Sequence, residues 1–179
     1  MRLSWWNGTG AQSAAGGMHP EEERNLVARC RAGDYRAFDA LFRAHQGRAY
    51  GVALRLTGSH HDADDVLQDA WLRALRGISR FNGRARFLTW FWRIVVRAAA
   101  DHERRSRRHR RAGDTDMAED LPAQPQSSCP VEQVAARELQ RAIENAMRDL
   151  PAPQRAALVL VTFDGLSYAE ASRAASRSA

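Results

Sequence analysis

The sequence contains no lysine, so each of its 27 basic residues is an arginine. It contains only two cysteines, Cys30 and Cys129, which lie in separate segments and do not form the close pairs of a zinc site. A disulfide framework needs more cysteines than these two. The longest apolar stretch, residues 156–163, is far shorter than the roughly 20 residues that span a bilayer. These absences argue against a disulfide-stabilised domain, a cysteine zinc module and a membrane-spanning helix.

The sequence also lacks the patterns of β-strands and of catalytic sites. Apolar residues recur at intervals of three and four rather than alternating, which predicts an all-α fold. There is no pair of catalytic carboxylates, no nucleophile with its base and no glycine-rich phosphate loop, so we predict no enzymatic activity and no cofactor. The first residues lack the charged-then-apolar order of a signal peptide, which favours a cytoplasmic protein.

The composition changes along the chain and indicates two domains. The 179 residues and their 44% apolar content suffice for two small packed cores. Residues 1–19, rich in glycine and alanine, are predicted to form a disordered tail. Residues 20–111 and 131–179 carry amphipathic helical patterns and are predicted to form two helical domains. Proline, serine and scattered acidic residues at 112–130 predict a flexible linker between them.

Local signals predict where several of the helices begin and end. Asp34 is expected to cap the second helix of the first domain. A third helix is expected from about residue 62 to residue 78, and a fourth from about residue 87 to residue 111. In the second domain Ser167 and Glu170 have the spacing of a capping box, which predicts that the last helix begins there.

Positive charge is concentrated in the first two thirds of the chain. Residues 1–113 hold 21 arginines and 11 acidic residues, whereas residues 114–179 hold 6 arginines and 10 acidic residues. Residues 80–113 alone hold 11 arginines against two acidic residues. A segment this basic indicates a polyanionic partner, for which nucleic acid is the first candidate and an anionic membrane surface the second.

The helix predicted at 62–78 has an apolar face for the core and an acidic face opposite it. The acidic face carries Asp64, Asp65, Gln68, Asp69 and Leu72. It is interpreted either as a docking surface for another protein or as a solvated face whose N-terminal acids favour the helix dipole. Spacing alone leaves both interpretations open.

Histidine and carboxylate side chains near residue 60 have the chemistry of metal ligands but not the spacing. His60 and His61 are adjacent and cannot share one face of a helix, and no further ligand set lies nearby in sequence. No metal site is therefore predicted. His45 takes an apolar position in the stripe of the second helix and is interpreted as a residue at the edge of the core rather than a catalyst.

The helix predicted at 87–111 combines tryptophans with a stripe of arginines. Trp90 and Trp92 lie beside the start of the stripe, which comprises Arg93, Arg97, Arg104, Arg108 and Arg111. Arginines neutralise phosphates and aromatic rings stack on unpaired bases, which is the chemistry that single-stranded nucleic acid needs. The alternative is that the tryptophans belong to the core and the arginines are merely solvated. The six arginines within 104–111 are too dense for a face that is only solubilising.

Two ordered strings carry a resemblance to a known family. Residues 62–75, DADDVLQDAWLRAL, followed by residues 81–108, FNGRARFLTWFWRIVVRAAADHERRSRR, resemble region 2 of bacterial extracytoplasmic-function (ECF) sigma factors of the sigma-70 family. Residues 139–171 resemble the start of their region 4. The resemblance implies an RNA polymerase sigma factor, which directs promoter recognition and DNA melting in transcription initiation and has no catalysis of its own.

The resemblance also implies a role for each surface. The acidic face would dock on the β′ clamp helices of core RNA polymerase, whose β subunit is a further expected contact. Residues 81–111 would melt and read the minus-ten element, with a flipped base held between the loop at 82–86 and the following helix. The expected promoter-binding residues are Asn82, Gly83, Arg84, Arg86, Trp90, Trp92, Arg93, Arg97, Arg104, Arg107, Arg108 and Arg111. An anti-sigma factor is an expected partner, and membrane insertion is not expected.

Two features depart from the family pattern. Arg97 stands where the family often has Asn on the reading helix, which predicts a change in the sequence that is read. The sequence ends at Ala179, soon after the helix that Ser167 begins, so the recognition helix of region 4 is expected to be missing and the minus-thirty-five element to be read poorly. These departures keep a second interpretation open, in which a sigma-like regulatory protein occupies core polymerase or titrates an anti-sigma factor.

Overall fold

The computed structural model describes residues 18–111, 138, 142–143 and 145–175, and the regular elements in these segments are all helical. The predicted all-α fold is therefore confirmed. The predicted linker at 112–130 and nearly all of the predicted tail lie outside the described residues. The elements are α1 Pro20–Arg31, α2 Tyr35–Thr57, α3 His60–Gly77, a 3₁₀ turn at Ile78–Arg80, α4 Phe87–Arg111, α5 Ala152–Asp164 and α6 Tyr168–Ala175.

Side-chain caps fix several of these boundaries. The Asp34 carboxylate accepts hydrogen bonds from the backbone N–H groups of Arg36 (2.9 Å) and Ala37 (3.2 Å), which confirms its predicted role at the start of α2. The hydroxyl of Ser59 accepts from the backbone N–H of Asp62 at 3.3 Å, so α3 begins two residues before the predicted start. Gly58 between α2 and α3 adopts a left-handed φ of 72°, a conformation that glycine reaches without strain.

An aromatic cluster forms the centre of the first domain. The Trp71 ring of α3 lies 4.9 Å from the ring of Phe42 in α2 and 4.0 Å from the ring of Phe91 in α4, measured between centroids. Aromatic rings that meet edge-on or offset at such distances stabilise the fold by more than the burial of their apolar surface alone. Leu41 and Leu67 are fully buried around this cluster. Three helices thus share one core, which fixes the orientation of the outer faces of α3 and α4.

The interpretation of His45 as a residue at the edge of the core is wrong, because its side chain is buried. Its Nε2 atom lies 3.3 Å from a carboxylate oxygen of Glu23, which is also buried, and its ring stacks on Phe87 with centroids 5.7 Å apart. An imidazole and a carboxylate tolerate burial when they face each other. The pair links α1 to α2 inside the core.

The described C-terminal helices pack against the first domain, which the sequence did not predict. Helix α5 contacts α2 and α4, and α6 contacts α4. Polar contacts join the units: the Asp164 carboxylate accepts hydrogen bonds from Arg48, at 2.7 Å, and from the indole N–H of Trp92, and Arg155 donates to Glu103 at 3.0 Å. No helix among the described residues is long and apolar enough to cross a bilayer.

Candidate nucleic-acid and protein interfaces

The loop between the 3₁₀ turn and α4 exposes polar groups and is held at each end by a buried phenylalanine. Phe81 and Phe87, at either end of the loop, are buried. Between them the Asn82 side chain accepts a hydrogen bond from the backbone N–H of Arg84 at 3.1 Å, and Gly83 has a left-handed φ of 71°. Asn82, Gly83, Arg84 and Arg86 are all exposed. The predicted loop residues therefore share one accessible edge beside the start of α4.

Trp90 lies under this loop, partly buried. Its ring packs against those of Phe81 and Phe87, with centroids 5.0 Å and 5.7 Å away. Gly77 makes room for it, since a Cβ atom at that position would lie 3.3 Å from the indole Cζ2. Trp90 forms the floor beneath the loop and retains an exposed portion there.

The structure contradicts the prediction that Trp92 lies on the DNA-binding surface. The Trp92 side chain is completely buried, and its indole N–H donates a hydrogen bond to the Asp164 carboxylate of α5. Two positions along a helix turn the side chain by about 200°, so Trp92 faces away from the loop that Trp90 underlies. In this arrangement Trp92 cannot stack on a base.

We expect Trp92→Ala to lower the free energy of unfolding by about 3–5 kcal/mol, because it removes a large buried ring. Trp90→Ala is expected to lower it by roughly half as much, since that ring is only partly buried. Urea denaturation followed by circular dichroism measures both losses. A loss for Trp92→Ala no larger than that for Trp90→Ala would contradict the buried position of Trp92.

The arginines of α4 divide into two groups by their partners. Arg97, Arg108 and Arg111 are exposed and have no ion pair within the described residues. A second group is held by acids of the protein: Arg104 donates to Asp101, and Arg107 donates to Glu103 at 2.6 Å. A phosphate would meet the first group without displacing a carboxylate. Arg93 stands apart, because its Nε atom is buried and has no hydrogen-bond partner among the described residues.

The acidic face of α3 is present on the outer side of the helix, with graded exposure. Asp65 and Gln68 are exposed, whereas Asp64, Asp69 and Leu72 are partly buried. Burial raises the pKa of Asp64 above its ordinary value, with His60 acting in the opposite direction. His60 in turn lies against α2, where its Nδ1 atom is 2.5 Å from the hydroxyl oxygen of Tyr50.

A salt-bridge network joins the acidic face of α3 to the basic end of α4, and sequence reasoning missed it. Arg73 donates to both oxygens of Asp69, at 3.0 and 2.7 Å, and to Asp101 of α4 at 2.7 Å. Arg105 lies 4.0 Å from Asp69, and Asp101 also accepts from Arg104. The hydrogen bonds from Arg73 and Arg104 lower the pKa of Asp101 despite its partial burial, which acts the other way. Asp69 and Arg73 are four residues apart and therefore lie on the same face of a helix, so the sequence could have indicated this pair. It could not have indicated the contacts with α4.

Comparisons with known proteins match two regions of one family along the chain. The family profile of sigma-70 region 2 matches residues 41–109, and that of sigma-70 region 4 matches residues 140–178. The chain is 38% identical over 159 residues to the ECF RNA polymerase sigma factor SigM of Mycobacterium tuberculosis H37Rv, covering 88% of this chain and 76% of the relative. It is 32% identical over 150 residues to the ECF RNA polymerase sigma-E factor of Escherichia coli K12, covering 81% and 78%.

A solved structure supports the fold independently. The structure of CnrH in complex with the cytosolic domain of CnrY superposes with a TM-score of 0.60 over 86% of this chain and 82% of that one, at 23% sequence identity. Together with the region 2 and region 4 matches, the identities above 30% across most of the chain leave one assignment: the chain belongs to the ECF sigma factors of the sigma-70 family, which act in transcription initiation.

Proposed function

We propose that this sigma factor binds core RNA polymerase through the acidic face of α3 and reads and melts promoter DNA with the loop at 82–86 and helix α4. The observation that carries the proposal is the placement of these two surfaces on adjacent helices of one rigid core. The acidic face lies outward on α3, while the loop and the arginines Arg97, Arg108 and Arg111 lie outward from α4. A single rigid unit can therefore hold the polymerase and a DNA strand in fixed relation.

The acidic face fits a basic surface on the polymerase, and the β′ clamp helices are the proposed partner, with the β subunit as a further contact. Asp65 and Gln68 offer exposed hydrogen-bonding groups, and Leu72 adds a partly exposed apolar contact. Charged rims steer association, and a central apolar residue supplies burial. The chain acts in the cytoplasm with the polymerase and supplies specificity, whereas the polymerase supplies catalysis.

The promoter surface fits a single strand better than a duplex. The loop residues Asn82 and Arg84 present amide and guanidinium groups at one edge, above the floor formed by Trp90. An unpaired base placed between loop and helix would gain aromatic and hydrogen-bond contacts there, and the exposed arginines of α4 would hold its phosphates. Arg97 faces solvent on the reading helix and is the residue proposed to alter the sequence preference.

An anti-sigma factor is the proposed regulatory partner. The structural neighbour CnrH was solved with the cytosolic domain of CnrY bound. A protein of that kind would compete with the polymerase for this chain.

The test is transcription by core RNA polymerase on a pool of genomic fragments from the source bacterium, with and without the purified full chain. Transcripts that begin at defined sites only when the chain is present support the proposal. Retention of core polymerase by the immobilised chain without new transcripts would instead favour a regulatory protein that occupies the polymerase. A failure to retain core polymerase would contradict the proposal.

A further inference from the structure

We propose that three histidines make the docking of α3 on core RNA polymerase dependent on pH, because each of them faces an acidic residue in the N-terminal half of that helix. The histidines are His60 and His61, at the start of α3, and His102 of α4. This inference concerns the regulation of the acidic face and therefore rests on the proposed function.

Two of the histidines lie within ion-pair distance of acidic residues of α3. The Nε2 atom of His61 lies 3.9 Å from a carboxylate oxygen of Asp65, one helical turn further along α3. The Nε2 atom of His102 lies 3.6 Å from a carboxylate oxygen of Asp62, across the contact between α4 and α3. Asp62 lies three residues before Asp65, so both carboxylates lie on the same side of the helix. A proton taken up by either histidine therefore places a positive charge directly against this side.

His60 acts on a third acidic residue, Asp64, which lies four residues further along the same helix. Burial raises the pKa of Asp64, and His60 and, more weakly, His61 act in the opposite direction. The Nδ1 atom of His60 lies 2.5 Å from the hydroxyl oxygen of Tyr50 in α2. Burial, with a smaller contribution from Asp64, raises the pKa of Tyr50, so its hydroxyl keeps its proton and can donate to the neutral ring or accept from the charged one. His60 can therefore gain a proton without losing this bond.

Arginines and a further acidic residue supply the remaining charge around the three histidines. A Cβ atom at Gly58, in the turn before α3, would lie 3.4 Å from the Nε atom of Arg148. Further along α3, Asp69 lies 2.7 Å from Arg73 and 4.0 Å from Arg105. Arginine keeps its charge throughout, whereas histidine gains its charge as the pH falls from about 8 to about 5. The histidines therefore control how the charge beside the acidic face changes over this range.

The direction of the effect follows from these charges. At the upper end of the range the histidines are neutral, and Asp62, Asp64 and Asp65 carry three negative charges. As the pH falls, each histidine gains a positive charge that offsets the charge of its neighbouring acid. The raised pKa of Asp64 acts in the same direction, because that carboxylate takes up a proton sooner as the pH falls. A basic surface on the polymerase is therefore held less tightly at lower pH, and docking releases protons from the histidines.

The test measures the affinity of the full chain for core RNA polymerase by equilibrium titration at about pH 7.5 and about pH 5.5. We expect binding to be about tenfold weaker at the lower pH, as for a typical coupling between two sites. By linkage, a tenfold change over about two pH units corresponds to the release of about half a proton per chain on docking. Calorimetry in two buffers of different ionisation enthalpy measures that release, and circular dichroism at both pH values verifies the fold.

Replacement of the two histidines at ion-pair distance is expected to reduce the effect. His61→Gln and His102→Gln together keep polar side chains that cannot gain a charge. We expect this double variant to match the unaltered chain at the higher pH and to bind about threefold more tightly than it at the lower pH. His60 is left in place, because its bond to Tyr50 also supports the packing of α3 on α2. The control His19→Gln removes an exposed histidine at the start of α1, beside the acidic first turn of that helix, and should retain the full tenfold change.

The outcomes separate this inference from the proposed function. Equal pH dependence in the double variant and the unaltered chain would overturn the inference, because the effect would then belong to the polymerase or to other groups. A reduction in His19→Gln as large as in the double variant would overturn it as well. Tight binding by the unaltered chain that does not change with pH would overturn the inference and leave the proposed function standing. Absence of binding at either pH would contradict the proposed function itself, together with this inference.

Discussion

Replacing Asp65 and Asp69 together by lysine is expected to lower the affinity for core RNA polymerase by about 100-fold, equivalent to roughly 3 kcal/mol. The two carboxylates lie one helical turn apart on the outer face of α3, with side chains 54% and 34% exposed. A basic surface that accepts two acids would meet two cations instead, and like charges at an interface oppose association strongly. Equilibrium titration of labelled chain with core polymerase measures the change.

The single variant Asp65→Lys tests docking on the polymerase without disturbing the salt bridges between α3 and α4. Asp69 also holds Arg73 at 2.7 Å, so its loss disturbs the network to α4, whereas among the described residues Asp65 has only a distant ion pair, 3.9 Å from His61. We expect Asp65→Lys alone to weaken binding by about tenfold with an unchanged circular dichroism spectrum. The control for Asp65→Lys is Glu22→Lys, which makes the same charge change at an exposed position of α1. The control for the double variant adds Asp39→Lys on α2, where the side chain is 48% exposed. Equal loss in the control would assign the effect to net charge and not to docking.

The sequence predicted those parts of the fold that depend on neighbours in the chain. Asp34 and its two bonded N–H groups lie within three residues, so a local pattern suffices to locate the start of α2. The capping box is likewise local: Ser167 accepts from the backbone N–H of Glu170 at 3.3 Å, and the Glu170 carboxylate accepts from that of Ser167 at 3.1 Å.

The position of Trp92 depends on a partner 72 residues away, and this is why sequence patterning misplaced it. The apolar stripe that stands out in α4 runs through Phe87, Phe91 and Val95, and it faces the core of the first domain. The second stripe contains Trp92, which is buried and bonded to Asp164 of α5. A helix that meets two partners carries two apolar faces, and the pattern of one helix cannot reveal which faces are covered.

The ion pairs around the α4 arginines depend partly on neighbours in the same helix and partly on packing between helices. Arg104 and Arg107 have acids at three and four residues in the same helix, which spacing alone could have indicated. The bond from Arg73 to Asp101 links residues 28 apart and requires α3 and α4 to be packed side by side. Acidic side chains therefore neutralise several of these arginines in the folded structure, and the candidate DNA-binding surface carries less positive charge than its number of arginines suggests.

The largest loss of promoter affinity is expected from replacing by alanine the three exposed arginines of α4 that have no ion pair among the described residues, Arg97, Arg108 and Arg111. Each lost phosphate contact lowers the slope of log affinity against log salt by about 0.7–0.9, so the triple variant should lose roughly 2 or more. At 0.1 M monovalent salt this amounts to about 100-fold in affinity. The measurement is binding of the assembled holoenzyme to fork-junction promoter DNA at several salt concentrations.

A matched triple variant tests whether position, and not charge, causes the loss. Arg31, Arg36 and Arg43 are exposed on α1 and α2, and their replacement by alanine removes the same three charges. We expect this control to leave the salt slope unchanged, because its arginines lie on helices to which no DNA contact is assigned. A third variant at Arg104 and Arg107 should give a smaller change per residue, since each arginine must leave Asp101 or Glu103 to meet a phosphate. Equal slopes for the α4 triple variant and the unaltered chain would show that α4 does not contact the DNA backbone.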